Sequence, residues 1–139
     1  MDNSCNEFLY HDSKIVDSQL ILLLLCNMEF IDKAIQQYAE AHTKKESTVL
    51  NQLNRYTHTS VLKPRMLSGH LQGRFISMMS CLMKPKYVLD IGTYTGYSAL
   101  CLAEGLTSDG IVHTIDINEE VMSTAEKFFS ESPFHNQIK

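Results

Sequence analysis

Apolar residues recur along the chain with two different periods. Tyr87–Ile91 (YVLDI) and Ile111–Ile115 (IVHTI) are short apolar runs rich in β-branched and aromatic residues, bounded by polar turns, and this predicts strands. Elsewhere apolar positions return every third or fourth residue, the spacing that gives a helix one apolar face. Met28 to His42 sets Ile31, Ala34, Ile35 and Tyr38 on one side, with Asp32, Lys33, Gln36 and Gln37 opposite. Thr48 to about Thr57 repeats the pattern through Val49, Leu50 and Leu53, with Ser47 placed as N-cap. Ser68 to Met83 carries Leu71, Phe75, Met78, Met79 and Leu82 and stops before Pro85. A short helix is expected from Tyr97 to about Leu106. A last one, Glu119 to Ser130, follows the cap residue Asn118, with Val121, Met122, Ala125, Phe128 and Phe129 inward and acids in its first turn.

The most informative stretch is Tyr87 to Asp116, a strand–loop–helix–strand unit with glycines in the first turn and an acid at the tip of each strand. In a right-handed crossover both strand ends point to one edge of the sheet, where open α/β sheets bind ligands. Asp116 falls where a nucleotide-binding unit places its ribose-hydroxyl acceptor. The glycine spacing bears on which nucleotide. A pyrophosphate fingerprint reads G-x-G-x-x-G, and its middle glycine lets backbone approach the diphosphate. Here the turn is D-x-G-x-x-x-G, and Tyr94 stands at the middle-glycine position. A tyrosine would crowd a pyrophosphate, so the turn points to an adenosine carrying a smaller and less anionic group.

Composition narrows the class. The 139 residues suit one modest domain, and 44% hydrophobic and 20% charged residues are ordinary globular values. A net charge of −4, with no basic run beyond Lys44-Lys45, argues against a nucleic-acid partner. Cys5, Cys26, Cys81 and Cys101 have no metal or C-x-x-C spacing, which favours a reducing, cytoplasmic setting. Leu20 to Cys26 (LILLLLC) lacks the basic flank of a signal peptide and is too short to span a bilayer, so no membrane partner is expected. The remaining histidines make no H-x-x-x-H or H-x-H pair, and nothing local orients His70 as a base.

The string IGTYTGYSAL, with Met66-Leu67-Ser68-Gly69 upstream and VHTIDIN downstream, resembles the O-methyltransferase family that includes caffeoyl-CoA and catechol O-methyltransferases and their bacterial relatives, within the class I S-adenosylmethionine-dependent methyltransferases. The likeness runs from about Met28 to Lys139. It implies an α/β, Rossmann-like fold with a doubly wound, mostly parallel sheet preceded by N-terminal helices. It further implies S-adenosylmethionine as cofactor, a small phenolic or catechol-like hydroxyl acceptor, a divalent cation such as magnesium, and a homodimer. Residues 1–27 are expected to be a dispensable extension, and 28–139 the N-terminal part of the catalytic domain. By the same resemblance Phe134 to Lys139 approaches a third strand, and the catalytic base and cation ligands are expected beyond Lys139, so no metal ligand is named in this chain.

The cofactor-binding residues implied are Met66, Ser68, Asp90, Gly92, Thr93, Tyr94, Gly96, Ser98, Asp116 and Ile117. Each has a plainer reading. Asp116 could be a helix cap or loop acid, Asp90 a turn acid, Ser68 and Ser98 helix caps, and Met66 and Ile117 ordinary apolar residues. Tyr94 and Tyr97 could line a pocket or pack in the core. A nicotinamide-dependent oxidoreductase and a non-catalytic binding or dimerisation module are the competing functions.

Overall fold

A computed structural model describes residues Ile31 to Lys139. The dispensable extension and the LILLLLC segment, as well as Met28 to Phe30 of the first helical pattern, lie outside the described residues. The chain divides into two compact units at Tyr38/Ala39. Of the first, only the start of helix α1 (Lys33–Ala41) is described, and this helix carries no buried residue.

In the second unit the order is α2 (Thr48–Ser60), a 3-10 turn (Pro64–Met66), α3 (Gly69–Met83), β1 (Tyr87–Ile91), α4 (Tyr97–Ala103), β2 (Ile111–Ile115) and α5 (Glu119–Ser130). Both strands fall on the predicted residues. They pair in parallel with Asp90 opposite Thr114 and Ile91 opposite Ile115. Two of the predicted caps form: Ser47 Oγ accepts the Leu50 N–H at 3.3 Å, and Asn118 Oδ1 accepts the Glu120 N–H at 3.0 Å. Ile138 adds an isolated parallel bridge to Val112, held by Val112 N–H to Gln137 O at 2.7 Å and Lys139 N–H to Val112 O at 2.9 Å.

The core lies on one side of the sheet. Leu50 and Leu53 of α2, Tyr97, Ala99, Leu100, Cys101 and Ala103 of α4, and Val112, Phe128 and Ile138 form one buried cluster, with Val88 packed against it. Helix α4 ends earlier than expected, at Ala103, because the chain tightens through Gly105 N–H to Leu102 O and Leu106 N–H to Ala103 O. Helix α2 runs on to Ser60, past Thr57, whose buried hydroxyl bonds back to Leu53 O and reaches Thr95.

Helix α3 departs most from its apolar pattern. Its buried residues are Gly73, Arg74, Ser77 and Ser80, while Phe75, Met78, Met79, Leu82 and Met83 are exposed. The reason is close approach to α4. A Cβ at Gly73 would sit 2.5 Å from the Tyr97 ring, and one at Gly105 would sit 2.2 Å from backbone atoms of Ser80 and Cys81. Only small residues permit such a contact. Polar groups buried there pair with one another, leaving only Arg74 Nε without a partner in this cluster: Arg74 grips both oxygens of Glu104 at 2.9 Å, and Ser77 Oγ donates to Glu104 Oε2 at 2.5 Å. The Ser80 hydroxyl donates to Leu102 O.

Candidate cofactor site

The turn after β1 folds back over the tip of β2. The Gly92 and Thr93 N–H groups both donate to Ile115 O, at 2.9 and 3.2 Å, and the next N–H, of Tyr94, donates to Asp116 Oδ2 at 2.6 Å. Three successive donors are thus spent on the end of β2. A pyrophosphate loop needs such N–H groups free, so this turn does not offer a diphosphate its usual cradle. Gly92 and Gly96 both have positive φ, +96° and +92°, as their places in the turn require. In front of Gly92 the space is open, with no atom within 4 Å of where a Cβ would stand. Gly96 instead faces Phe129, whose ring would lie 2.5 Å from an added Cβ.

Asp116 also accepts the Asn118 N–H on its other oxygen, at 2.9 Å. These backbone donors, Asn118 and then Tyr94, hold its carboxyl below the usual range. Each carboxylate oxygen keeps an acceptor position, enough for the two hydroxyls of a ribose. Ile117 beside it is 99% exposed and Ile91 is 76% exposed, so both present bare apolar surface at this edge.

Asp90 is set differently. It is half-buried, and burial pushes its pKa up, partly countered by hydroxyl donors from Thr114 at 2.9 Å and Ser98 at 3.1 Å. Thr93 Oγ1 lies 2.6 Å from Thr114 Oγ1. Since Thr114 donates to the carboxylate, Thr93 donates to Thr114, and the chain of hydroxyls has one direction. Ser98 therefore braces Asp90 instead of capping α4, whose N-cap is Gly96. Ser68 precedes α3 but makes no capping hydrogen bond through its side chain.

Opposite the turn, Val61 to Met66 forms a strap. Lys63 (φ +58°) and Tyr94 (φ +48°) are both non-glycine residues in the left-handed region. The Tyr94 hydroxyl crosses to the strap, donating to Leu62 O at 2.9 Å and Lys63 O at 3.3 Å. Between strap, turn and the start of α5 lies a cavity of ≈ 940 Å³, lined by Leu62, Lys63, Met66, Gly92, Tyr94 and Asp116 among others. Ser68, Thr93 and Ser98 border a smaller hollow that shares Met66, Gly92 and Tyr94 with it. Seven of the ten residues implied by the sequence thus line these two adjoining cavities, Ile117 lies on the edge beside them, Gly96 closes the turn, and Asp90 reaches the site only through Ser98.

The charges of the main cavity are Asp116 and Glu120 against Lys63. A lining with this excess of negative charge favours a cationic group over a dianionic diphosphate. His70 takes no part, its Nε2 lying 2.8 Å from Lys44 O. Among the described residues no group of three His, Cys, Asp or Glu side chains is placed to hold a metal ion, and no helix is long and apolar enough to cross a membrane.

Sequence reasoning did not find the buried polar groups behind the site. Tyr97, at 2% exposure, donates its hydroxyl to Glu46, and burial, then this bond, drive the phenol pKa far above its usual range. Cys101 is buried beside Arg74, and desolvation pushes its thiol up to about 12. A second hollow, of ≈ 590 Å³, lies by this cluster, away from the glycine turn. No spacing in the sequence signals these contacts, which join residues 27 to 51 positions apart.

The sequence profile of the O-methyltransferase family matches residues 40–139. A putative caffeoyl-CoA O-methyltransferase of Arabidopsis thaliana is 34% identical over 67 residues, 48% of this chain and 29% of that protein. The catechol O-methyltransferase domain-containing protein 1 of Mus musculus is 28% identical over 107 residues, 77% of this chain and 40% of that protein. Among solved structures, an SAH-bound methyltransferase of Podospora anserina superposes with a TM-score of 0.72 at 23% identity, covering 81% of this chain and 50% of the other. An O-methyltransferase of Bacillus cereus in complex with SAH gives 0.70 at 24% identity, covering 76% and 48%. The chain thus spans half or less of the length of these relatives. The fold is Rossmann-like α/β, and the chain belongs to the O-methyltransferase family.

Proposed function

We propose that this chain carries the cofactor-binding half of an S-adenosylmethionine-dependent O-methyltransferase acting on a small phenolic or catechol-like hydroxyl acceptor. The observation that carries the reading is the turn itself: three N–H groups committed to Ile115 O and Asp116, leaving a carboxylate with free acceptor positions and no cradle for a diphosphate. When bound, S-adenosylmethionine supplies an activated methyl group on a sulfonium. In this reading Asp116 receives the ribose hydroxyls, Ile117 packs on the adenine, and Met66 and Ser68 border the methionine part. Asp90, held by Ser98 and Thr114, orients that part from the floor, and Gly92 and Thr93 let backbone come close to it. Gly96 sets the turn, and Tyr94 closes one side. Methyl transfer to oxygen is an in-line displacement, so holding the donor in one orientation is this half's contribution to rate.

The family likeness supports a divalent cation at the acceptor, a cytoplasmic setting and a homodimer as further parts of the proposal, with residues 1–27 dispensable. Isothermal titration tests the core of it. The protein should bind S-adenosylhomocysteine at one site and NADH not at all, and Asp116→Ala should cost roughly 1.5–3 kcal/mol of that binding. Tight binding of NADH would sink the assignment and return the oxidoreductase reading. A chain beginning at Met28 should match the longer one in cofactor affinity and melting temperature, and a clear fall in either would show that the extension matters.

A further inference from the structure

Tyr94 adopts a backbone conformation that an aromatic residue rarely takes, since its Cβ then crowds the following carbonyl. Glycine or asparagine would accept the same turn with less strain. Two interactions set the tyrosine apart. Its N–H holds Asp116 Oδ2 at 2.6 Å, which any residue could supply. Its hydroxyl bonds the carbonyls of Leu62 and Lys63, which only a long side chain with a terminal donor can do. Burial pushes the phenol above its usual range, so it remains a donor throughout neutral pH.

Apolar burial contributes little at the tip of the strap that it reaches. Leu62 is 83% exposed and Met66 70% exposed, so neither buries much apolar surface. Lys63 is itself left-handed, and the turn that follows is closed by Met66 N–H to Lys63 O and Leu67 N–H to Pro64 O. Two left-handed residues therefore face each other across the cavity mouth and are joined by one side chain. Strain kept at such a place points to a use for it.

We infer that Tyr94 is a positioning residue that latches the Val61 to Met66 strap across the cofactor cavity, so that release of the cofactor requires breaking its hydroxyl contact with Leu62 and Lys63. This rests on the cofactor reading above. One residue then couples the two walls: the amide fixes the ribose acceptor, and the hydroxyl fixes the strap carrying Met66. Loss of the hydroxyl alone leaves the ring, the turn and Asp116 in place while freeing the strap.

The test is Tyr94→Phe, with Tyr94→Gly as a second variant that also removes the strained side chain. Stopped-flow displacement should show S-adenosylhomocysteine leaving Tyr94→Phe about three- to tenfold faster, the range expected for one neutral hydrogen bond. Hydrogen exchange of the ligand-free protein should show the Met66 and Leu67 amides exchanging faster in the variant, with the melting temperature unchanged. Tyr94→Gly should release the ligand at least as fast without melting lower than Tyr94→Phe. Unchanged release and unchanged exchange in Tyr94→Phe, in a protein that binds the cofactor, would overturn the latch alone. Failure of the unsubstituted protein to bind S-adenosylhomocysteine would overturn the cofactor reading and the inference together.

Discussion

The Asp90 carboxylate and the Thr114 hydroxyl face each other in the register of β1 and β2, with Thr114 donating to Asp90 Oδ2 at 2.9 Å. The pairing places an acid on the sheet face that meets α4, where water is partly excluded. Thr114 and Ser98 recover part of what burial costs, yet the pKa of Asp90 remains above its ordinary 3.8. The site thus retains a carboxylate that the fold alone would be better without.

This gives a prediction with a definite sign. A carboxyl whose folded pKa is raised contributes stability that is full below the unfolded pKa and lost as pH rises through the folded one. Asp90→Asn keeps an acceptor for a hydroxyl and removes the buried charge. It should melt higher than the unsubstituted protein at neutral pH, and the difference should shrink as pH falls toward 3.8. The same variant should bind S-adenosylhomocysteine more weakly, by roughly 1.5–3 kcal/mol if a charged hydrogen bond is lost. A lower melting temperature at neutral pH would show that the ionised form stabilises the fold.

Glu104 has the opposite sign. Burial pushes its pKa up, but the Arg74 and Ser77 hydrogen bonds and the Arg74 charge outweigh this and hold it below 4.5. Its stabilising contribution is therefore present above the unfolded pKa and lost as pH falls through the folded value. With side chains 7% and 17% exposed, the Arg74–Glu104 pair is effectively interior. Glu104→Gln leaves Arg74 as an uncompensated buried charge and should cost about 3–5 kcal/mol in urea unfolding at neutral pH. Replacing both members, Arg74→Met with Glu104→Leu, should cost less than either single change. A double variant as unstable as the sum of the singles would refute the charge argument.

The contrast between these acids shows how far the sequence could be read. Both strands and the glycine turn were legible because their signals are local: apolar runs, a D-x-G-x-x-x-G turn, and an acid one strand later. The place of Asp116 at the tip of β2 was legible for the same reason. Helix α3 was not. Its spacing marks Phe75, Met78 and Leu82 as a face, but the buried side is Gly73, Arg74, Ser77 and Ser80. That choice is made by Gly105, thirty-two positions after Gly73, which lets two backbones meet. Likewise the apolar-rim residues Met66 and Ile117 could be placed only by resemblance, whereas the Tyr94 contact to Leu62 depends on a left-handed backbone that no spacing announces.

Two glycines separate structural from binding roles. At Gly105 an added methyl would lie 2.2 Å from α3 backbone, which cannot yield as a flexible side chain would. Gly105→Ala should therefore lower the melting temperature severely or abolish folding. Gly92 has φ +96° but open space in front of it. Gly92→Ala should cost only the strain of that conformation, about 1–3 kcal/mol, while calorimetry shows a larger loss of S-adenosylhomocysteine binding. Full affinity in Gly92→Ala would argue that the cofactor does not approach this turn.

The sheet also presents an uncovered apolar face. Register sets Tyr87, Leu89 and Ile91 beside His113 and Ile115 on the side away from α4, with Leu89 62% and Ile91 76% exposed. Helix α3 also presents Phe75 and Leu82, 59% and 72% exposed. Apolar surface of this kind on an open strand edge promotes association. Sedimentation of the 139-residue protein should show self-association that grows with concentration, and Leu89→Lys with Ile91→Lys should reduce it. A monodisperse monomer at every concentration would show that this face does not drive association.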